Sequence, residues 1–183
     1  MNKLELETIG YTKDFFPFSK DEIKELKKVA NSCKNLSKNE RKRIFKHYPI
    51  VKSLFNKAIQ KSKLDLELTE YCFYIEKSSD KNWPLMMHRD INLPDFLGIS
   101  KDERYEYLKN AVMFRLNLDS NDKDSGALKV KIGSHISDDG KEKFIEVEEG
   151  EVVFFKPLLL HGSNKMTKSH TRRVFQALCI NKS

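Results

Sequence analysis

Cysteine is scarce in this sequence, and long hydrophobic runs are missing. The three cysteines, Cys33, Cys72 and Cys179, are odd in number and show no C-x-x-C spacing, which argues against a disulfide framework and against a cysteine-based zinc site. No apolar run approaches the roughly 20 residues that a membrane span requires, and the first ten residues lack the apolar region of a signal peptide. We therefore expect a cytoplasmic protein with free, buried thiols and no membrane partner.

Blocks of like charge, internal repeats and low-complexity tracts are also missing. The formal net charge is +7, but the lysines are interspersed with acids, as in residues 20–25, so a solvated lysine-rich surface is favoured over a nucleic-acid binder. The charge is compatible with an anionic substrate. A chain of 183 residues with 39% hydrophobic residues can form one core but not two ordinary domains. We expect a single domain over residues 1–183, and the oligomeric state stays open.

The first third of the chain has the periodicity of helices. Apolar residues recur at helical spacing in residues 23–30, directly after a capping-box pattern formed by Ser19 and Glu22. A second helix is predicted to open at Ser37 and to stop at Pro49, and a third follows that proline. We expect about the first 65 residues to form a helical layer that supports a sheet.

From about residue 66 the period changes to two, which is typical of strands. Candidate strands separated by turn residues lie at 71–77, 111–119, 128–132, 144–147, 151–160 and 172–180. Many short strands divided in this way predict a β-sandwich or jelly roll. The expected fold is mainly β with α, with the jelly-roll core in about residues 66–183.

A metal site is predicted from two histidines and one carboxylate. His88 and Asp90 are two residues apart, so on an extended chain both side chains project from one face. His161 ends the predicted strand 151–160 and would lie at the rim of the barrel. Two histidines and a carboxylate leave open coordination positions, which suits iron(II) that must also hold a chelating co-substrate and dioxygen. Zinc or manganese could occupy the same ligands.

Cationic and polar residues on three strands are candidates for a lined cavity. Arg172 opens the last strand, and its planar fork suits a carboxylate, but alternation does not decide whether Arg172 or Arg173 faces inward. Arg115 and Asn117 share one face of the strand 111–119, and this face either lines a cavity or meets solvent. Lys77, which closes the strand 71–77, has the same two interpretations.

The chain resembles the phytanoyl-CoA dioxygenase family, especially its small bacterial members. The similar stretches, in chain order, are residues 73–83 (FYIEKSSDKNW), 88–90 (HRD), 114–119 (FRLNLD), 125–130 (SGALKV), 133–135 (GSH), 157–163 (PLLLHGS) and 172–174 (RRV). Together they cover about residues 70–180. The resemblance implies a double-stranded β-helix, that is a jelly roll, with iron(II) held by the positions matching His88, Asp90 and His161.

The same resemblance implies a co-substrate, 2-oxoglutarate, and dioxygen. Arg172 matches the arginine that pairs with the distal carboxylate of 2-oxoglutarate, Ser163 looks like an auxiliary contact, and Lys77 is a further candidate contact with the co-substrate. Arg115 and Asn117 are candidate substrate contacts. His135, in the Gly-Ser-His turn, is interpreted as structural.

Two positions and one segment depart from the family pattern. Met87 stands where the family usually has an aromatic residue, and Ile132 stands where it usually has proline. The segment 91–110, which would cover the site, is short for the family. This departure suggests a small or loosely enclosed substrate, or a large one that reaches in from outside.

The resulting prediction is a dioxygenase that hydroxylates an unactivated C–H bond of a small-molecule substrate and releases succinate and CO2. Asp90 favours hydroxylation, because related halogenases carry a small residue at this position and leave room for chloride. Desaturation is a further outcome of the same chemistry. The alternatives are a metal-dependent jelly-roll isomerase or lyase that does not use 2-oxoglutarate, and a non-catalytic binding module whose basic surface meets an acidic partner.

Overall fold

The computed structural model describes residues 2–15 and 18–182. Its helices are α1 (Lys3–Thr8), α2 (Lys20–Ser32), α3 (Ile44–His47), α4 (Pro49–Ser62) and α5 (Arg104–Lys109). Its strands are β1 (Tyr11–Phe15), β2 (Leu66–Lys77), β3 (Leu85–His88), β4 (Ala111–Asn117), β5 (Leu128–Lys131), β6 (Glu142–Ile145), β7 (Glu151–Phe155), β8 (His161–Ser163) and β9 (Arg172–Asn181). No helix in these residues is long and apolar enough to cross a membrane.

The strands form two antiparallel sheets. The larger sheet has the order β1-β7-β4-β9-β2, and the smaller has the order β3-β8-β5-β6. Sequence neighbours such as β7 and β8 lie in different sheets, so the chain crosses repeatedly between the two layers. The fold is therefore the predicted jelly roll, mainly β with helices.

Two hydrophobic cores separate three layers. One core lies between the helices and the outer face of the larger sheet, where Phe55 packs on Phe114 with ring centroids 4.2 Å apart and Phe114 stacks on Phe154 at 4.7 Å. The second core lies between the sheets and contains Met113 and Leu178. Since strand side chains alternate between faces, Met113 on β4 and Leu178 on β9 place their neighbours Arg115 and Gln176 on the inward side.

The predicted helical layer is present, although its second helix is shorter than expected. Ser19 and Glu22 form the capping box of α2, and the same reciprocal hydrogen bonds join Ser37 and Glu40. After Ser37, however, the chain forms only a short 3-10 turn, and Arg43 leaves the helical region with φ −124° and ψ 43° before α3 begins. The first 65 residues also contribute β1 to the larger sheet, which the periodicity did not predict.

The predicted strand 151–160 is wrong in its second half. β7 ends at Phe155, and a turn follows in which the Leu159 amide donates to the Lys156 carbonyl at 2.9 Å. Pro157 has no amide hydrogen and cannot extend the ladder. The chain then enters the smaller sheet, so His161 begins β8 instead of ending β7. His161 is 4% exposed, and it therefore lies inside the barrel and not at its rim.

Candidate functional site

The two histidines face each other across neighbouring strands. His88 ends β3, His161 begins β8, and the two residues are directly paired in the antiparallel ladder, with ring centroids 4.4 Å apart. β3 can approach β8 this closely because Gly162 has no side chain: a Cβ there would lie 2.5 Å from the Leu85 carbonyl oxygen. The sequence His-Gly-Ser thus places one histidine against the other.

Asp90 completes a group of three possible ligands. Its Oδ1 lies 3.4 Å from His88 Nε2 and its Oδ2 lies 3.5 Å from His161 Nε2. One ligand atom from each of the three side chains can be chosen so that all lie within 4.8 Å of one another. Two imidazole nitrogens and one carboxylate on one side of an ion match the facial arrangement found in non-haem iron(II) oxygenases. The donor set therefore fits such a metal.

Both imidazole rings are oriented by the same kind of hydrogen bond. His88 Nδ1 lies 2.8 Å from the Met86 carbonyl oxygen, and His161 Nδ1 lies 2.8 Å from the Leu159 carbonyl oxygen. A carbonyl only accepts, so each Nδ1 carries a proton and each Nε2 is the ring nitrogen that faces Asp90. Metal binding through Nε2 requires Nδ1 to be protonated in this way.

Charges around the three ligands set their protonation. The hydrogen bond to Asp90 raises the pKa of His88, whereas burial lowers the pKa of His161. Burial opposes ionisation of Asp90, but the hydrogen bond with His88 and the charges of the two histidines hold its pKa below the usual value. Asp90 is therefore an anion, and a metal held by these side chains would displace the proton that His88 shares with it.

A hydrogen-bonded chain reaches Asp90 from the larger sheet. The Asp90 amide donates to the Pro157 carbonyl at 2.9 Å, and Gln176 Nε2 donates to Asp90 Oδ2 at 3.4 Å. Arg115 donates in turn to Gln176 Oε1 at 3.0 Å. Gln176 was not among the predicted site residues. The sequence did contain a signal for Gln176: it is a polar residue on the same strand face as Arg172.

Three buried cations lie between the sheets near these ligands. Lys77, Arg115 and Arg172 are 1%, 4% and 4% exposed, and Lys77 is paired directly with Arg172 across β2 and β9. Lys77 donates to Ser163 Oγ and to the Asn164 carbonyl, both at 2.9 Å, and Arg172 donates to the Gly126 carbonyl. Within the described residues no salt bridge involves any of the three.

The cavity between the sheets is therefore short of negative charge. The Nε atoms of Arg115 and Arg172 are buried and have no hydrogen-bond partner among the described groups. Burial, with the nearby charges of Arg172 and Arg115, lowers the pKa of Lys77 to about 8, and burial lowers the pKa of Arg172 to about 10. Unpaired buried charges are costly. An anion such as a carboxylate would satisfy these donors, so the cavity fits an acidic co-substrate.

The structure separates the two neighbouring arginines. Arg172 points into the barrel, whereas Arg173 faces the opposite side and binds Asp119 through two hydrogen bonds of 2.7 and 3.0 Å. Asn117 is also buried, but its amide donates to the Glu151 carbonyl at 3.1 Å. The structure therefore brings together the three candidate metal ligands, Ser163 and the three cations, and gives the Asn117 amide a backbone partner.

Similarity to known proteins agrees with this geometry. The sequence model of the phytanoyl-CoA dioxygenase family matches residues 12–174. The chain belongs to this family. No curated protein sequence matches the chain significantly.

Solved structures share the fold of this family member at low sequence identity. AviO1 from Streptomyces viridochromogenes Tue57 is 17% identical with a TM-score of 0.72, and the match covers 98% of this chain and 93% of that chain. EctD from S. alaskensis with bound Fe is 17% identical with a TM-score of 0.73, and the match covers 97% of this chain and 74% of that chain. HygX from Streptomyces hygroscopicus with nickel and 2-oxoglutarate bound is 13% identical with a TM-score of 0.71, and the match covers 100% of this chain and 87% of that chain. At these identities the likeness establishes the fold.

One further residue of this family member lines the site without having been predicted. Tyr71 borders a cavity of about 80 Å³ together with His88, Asp90, Leu93 and Met113. Burial and the charge of Asp90 raise the pKa of Tyr71. Tyr71 is placed there by an irregularity in β2 between Leu68 and Cys72, a feature that the alternation of residues 71–77 does not show.

Proposed function

We propose that this chain is an Fe(II)- and 2-oxoglutarate-dependent dioxygenase that hydroxylates an unactivated C–H bond of a small-molecule substrate. The observation that carries the proposal is the position of three candidate metal ligands beside a cavity whose buried cations Lys77 and Arg172 form no salt bridge with any described residue. Metal ligands alone would fit many reactions. The unpaired cations call in addition for an acidic co-substrate bound next to the metal.

His88, Asp90 and His161 would hold the iron. With Fe(II), 2-oxoglutarate and O2 bound, the site would supply the oxidising power to convert R–H to R–OH while 2-oxoglutarate becomes succinate and CO2. Asp90 occupies the position of the third ligand, which supports hydroxylation over transfer of a halide. The carbonyls of Met86 and Leu159 would keep both imidazoles in the orientation that the metal requires.

Arg172 would bind the distal carboxylate of 2-oxoglutarate. Its Nε is free of other partners, and its planar fork suits two parallel charge-assisted hydrogen bonds. Lys77 and Ser163, which contact each other, would add a second cation and a hydroxyl to the same carboxylate. Arg115 would act mainly on the metal side, since its donor atom reaches Asp90 through Gln176.

The proposal includes a single catalytic domain. The helices pack on the outer face of the sheet whose inner face carries Arg115 and Arg172, so one body of structure supports the site. A substrate contact is proposed for Tyr71, which borders the cavity at the metal ligands. The two predicted substrate contacts, Arg115 and Asn117, donate instead to Gln176 and to the Glu151 carbonyl.

Anaerobic titration of the metal-free protein with Fe(II) and then 2-oxoglutarate tests the proposal. We expect a weak visible metal-to-ligand charge-transfer band that needs both additions. His88→Ala should abolish the band, and Arg172→Ala should shift it to much higher 2-oxoglutarate concentrations. Arg173→Ala is the matched control, because the neighbouring arginine faces away from the cavity and binds Asp119.

The rival functions predict a different result. Tight metal binding without any 2-oxoglutarate band would favour an isomerase or lyase that uses the metal alone. A protein that binds neither would favour the non-catalytic module.

A further inference from the structure

The space at the metal ligands is too small for a whole substrate of ordinary size. The cavity bordered by Tyr71, His88 and Asp90 has a volume of about 80 Å³, whereas pockets that enclose drug-sized ligands span roughly 300–1,000 Å³. Only the reacting end of a substrate fits there. The rest of such a molecule must extend along the surface outside the cavity.

A basic groove lies next to this cavity. We call it the cationic groove and define it by Lys38, Lys42, Arg43, Lys46, Tyr71 and Phe96. It consists of two depressions of about 590 and 420 Å³ that share Lys42. Leu93 borders both the larger depression and the cavity at the metal ligands, and Tyr71 borders both the smaller depression and that cavity. The groove and the cavity are therefore neighbours, separated by no more than the side chains of Leu93 and Tyr71.

The floor of the groove is a row of aromatic rings. Tyr71 stacks on Phe73 with centroids 5.0 Å apart, and Tyr71 meets Phe96 edge to face at 6.2 Å. The Arg43 guanidinium lies over the Phe96 ring, 4.1 Å from its centroid. This row leads from the metal ligands to the basic end of the groove. It offers an apolar path for the middle of an elongated substrate.

The basic end carries more positive than negative charge. Among the described residues, Lys38, Lys42 and Lys46 form no salt bridge. The two acids at its border are engaged elsewhere: Glu40 accepts the Ser37 amide at 2.8 Å, and Asp95 pairs with Arg104 at 3.3 Å. Lysines on a surface are often merely solvated, but these three lie at the mouth of a site and beside an aromatic path to it.

We propose that the cationic groove binds the phosphate group of an elongated organic phosphate, whose apolar middle lies along Tyr71 and Phe96 and whose far end reaches the metal. A phosphate monoester carries about −1.5 to −2 charges at pH 7 and three acceptor oxygens, so it can engage several lysines at once, whereas one lysine suffices for a carboxylate. The inference rests on the proposed function. It assigns the substrate class of the same site.

Phenyl phosphate is a suitable probe, because it joins a phosphate to an aromatic ring. We would titrate it by calorimetry into the anaerobic Fe(II) form saturated with 2-oxoglutarate, so that the anion site at Arg172 is already filled. The double variant Lys42→Glu/Lys46→Glu should bind phenyl phosphate at least tenfold more weakly than the wild type. Phenol, which lacks the phosphate, should bind weakly to both proteins.

The matched control is Lys24→Glu/Lys61→Glu. Both residues are exposed helical lysines outside the groove, and the charge change equals that of the test variant. We expect its affinity for phenyl phosphate to stay within twofold of the wild type. Equal weakening in both double variants, or no binding by the wild type, would overturn the inference.

The charge-transfer band of the same samples distinguishes failure of the proposed dioxygenase function from failure of the proposed phosphate site. Loss of the phosphate site with an intact band in Lys42→Glu/Lys46→Glu supports the groove. If the wild type shows no band, the proposed function fails, whatever the phosphate result. If the band is present and the groove variant binds phenyl phosphate normally, only the substrate class is wrong.

Discussion

The molecule holds two groups of cations in opposite ways. Lys77, Arg115 and Arg172 are buried between the sheets, whereas Lys42 and Lys46 lie in a groove that is open to solvent. A buried unpaired charge costs several kcal/mol, while a solvated lysine costs almost nothing. The interior cations are therefore strong evidence for an anion that belongs to the site. The groove cations would bind theirs weakly and in a salt-dependent way.

The largest effect should come from the interior carboxylate. Asp90→Ala removes one of the three proposed metal ligands, and we expect Fe(II) affinity to fall by more than about 100-fold, since even indirect partners of ligands contribute about 10- to 100-fold. Asp95→Ala removes a carboxylate at the groove and should leave the affinity within twofold. Metal titration of both variants measures the difference. Similar losses in the two would contradict the assignment of the metal site.

Arg172→Met should affect binding and stability in opposite directions. Loss of charge-assisted hydrogen bonds to a carboxylate should weaken 2-oxoglutarate binding by about 10- to 100-fold. In the absence of 2-oxoglutarate the same variant should melt at a higher temperature, because a buried guanidinium without an acidic partner has been replaced by an apolar side chain. Lys46→Met in the groove should change neither property. A lower melting temperature for Arg172→Met would show that the arginine stabilises the ligand-free fold.

Gln176→Met tests whether Gln176 positions Asp90. The substitution keeps the length of the side chain but removes the donor to Asp90 and the acceptor for Arg115. We expect Fe(II) affinity to fall by about tenfold, the lower end for an indirect partner of a metal ligand, because the contact with Asp90 is 3.4 Å long. Gln60→Met, on the exposed side of α4, should have no effect. An unchanged affinity in Gln176→Met would remove Gln176 from the site.

The smallest effect should be a pH dependence caused by Lys77. Its pKa of about 8 lies below the ordinary 10.5, so between these pH values the unfolded chain binds more protons than the folded chain. Lys77 should therefore add to the free energy of unfolding as the pH rises from 8 to 10.5, by at most about 3 kcal/mol, against the opposite contribution of the three buried thiols, whose pKa values burial raises. Lys77 loses most of its charge between pH 7 and pH 9, and 2-oxoglutarate affinity should fall by about fivefold over that interval. Each contribution is measured as the difference between the wild type and Lys77→Met at several pH values, and a difference that does not change with pH would contradict the role of Lys77.

Properties that depend on local pattern could be predicted from the sequence. The capping box at Ser19, the helix after Pro49 and most strands of the jelly roll follow from spacing and residue type. The proximity of the His88 and Asp90 side chains could be predicted, because residues two apart on an extended chain share a face.

Properties that depend on tertiary contacts could not be predicted in this way. The change of sheets after Phe155 has only a weak local signal, because the apolar run of residues 152–160 is interrupted only by Lys156 and Pro157. Which of Arg172 and Arg173 faces inward depends on how β9 pairs with its neighbours. Gln176 and Tyr71 acquire their places near Asp90 only when three distant strands meet.

The position of β3 at the edge of the smaller sheet has a kinetic consequence. β3 has four residues and pairs with β8 alone, through Leu85 and His88. Short edge segments open locally at a small fraction of the free energy of global unfolding. Separation of β3 from β8 would withdraw His88 and leave His161 in place. The lifetime of the bound iron should therefore follow the fraying of one strand, and a chelator should extract it from a protein whose other strands stay protected from hydrogen exchange.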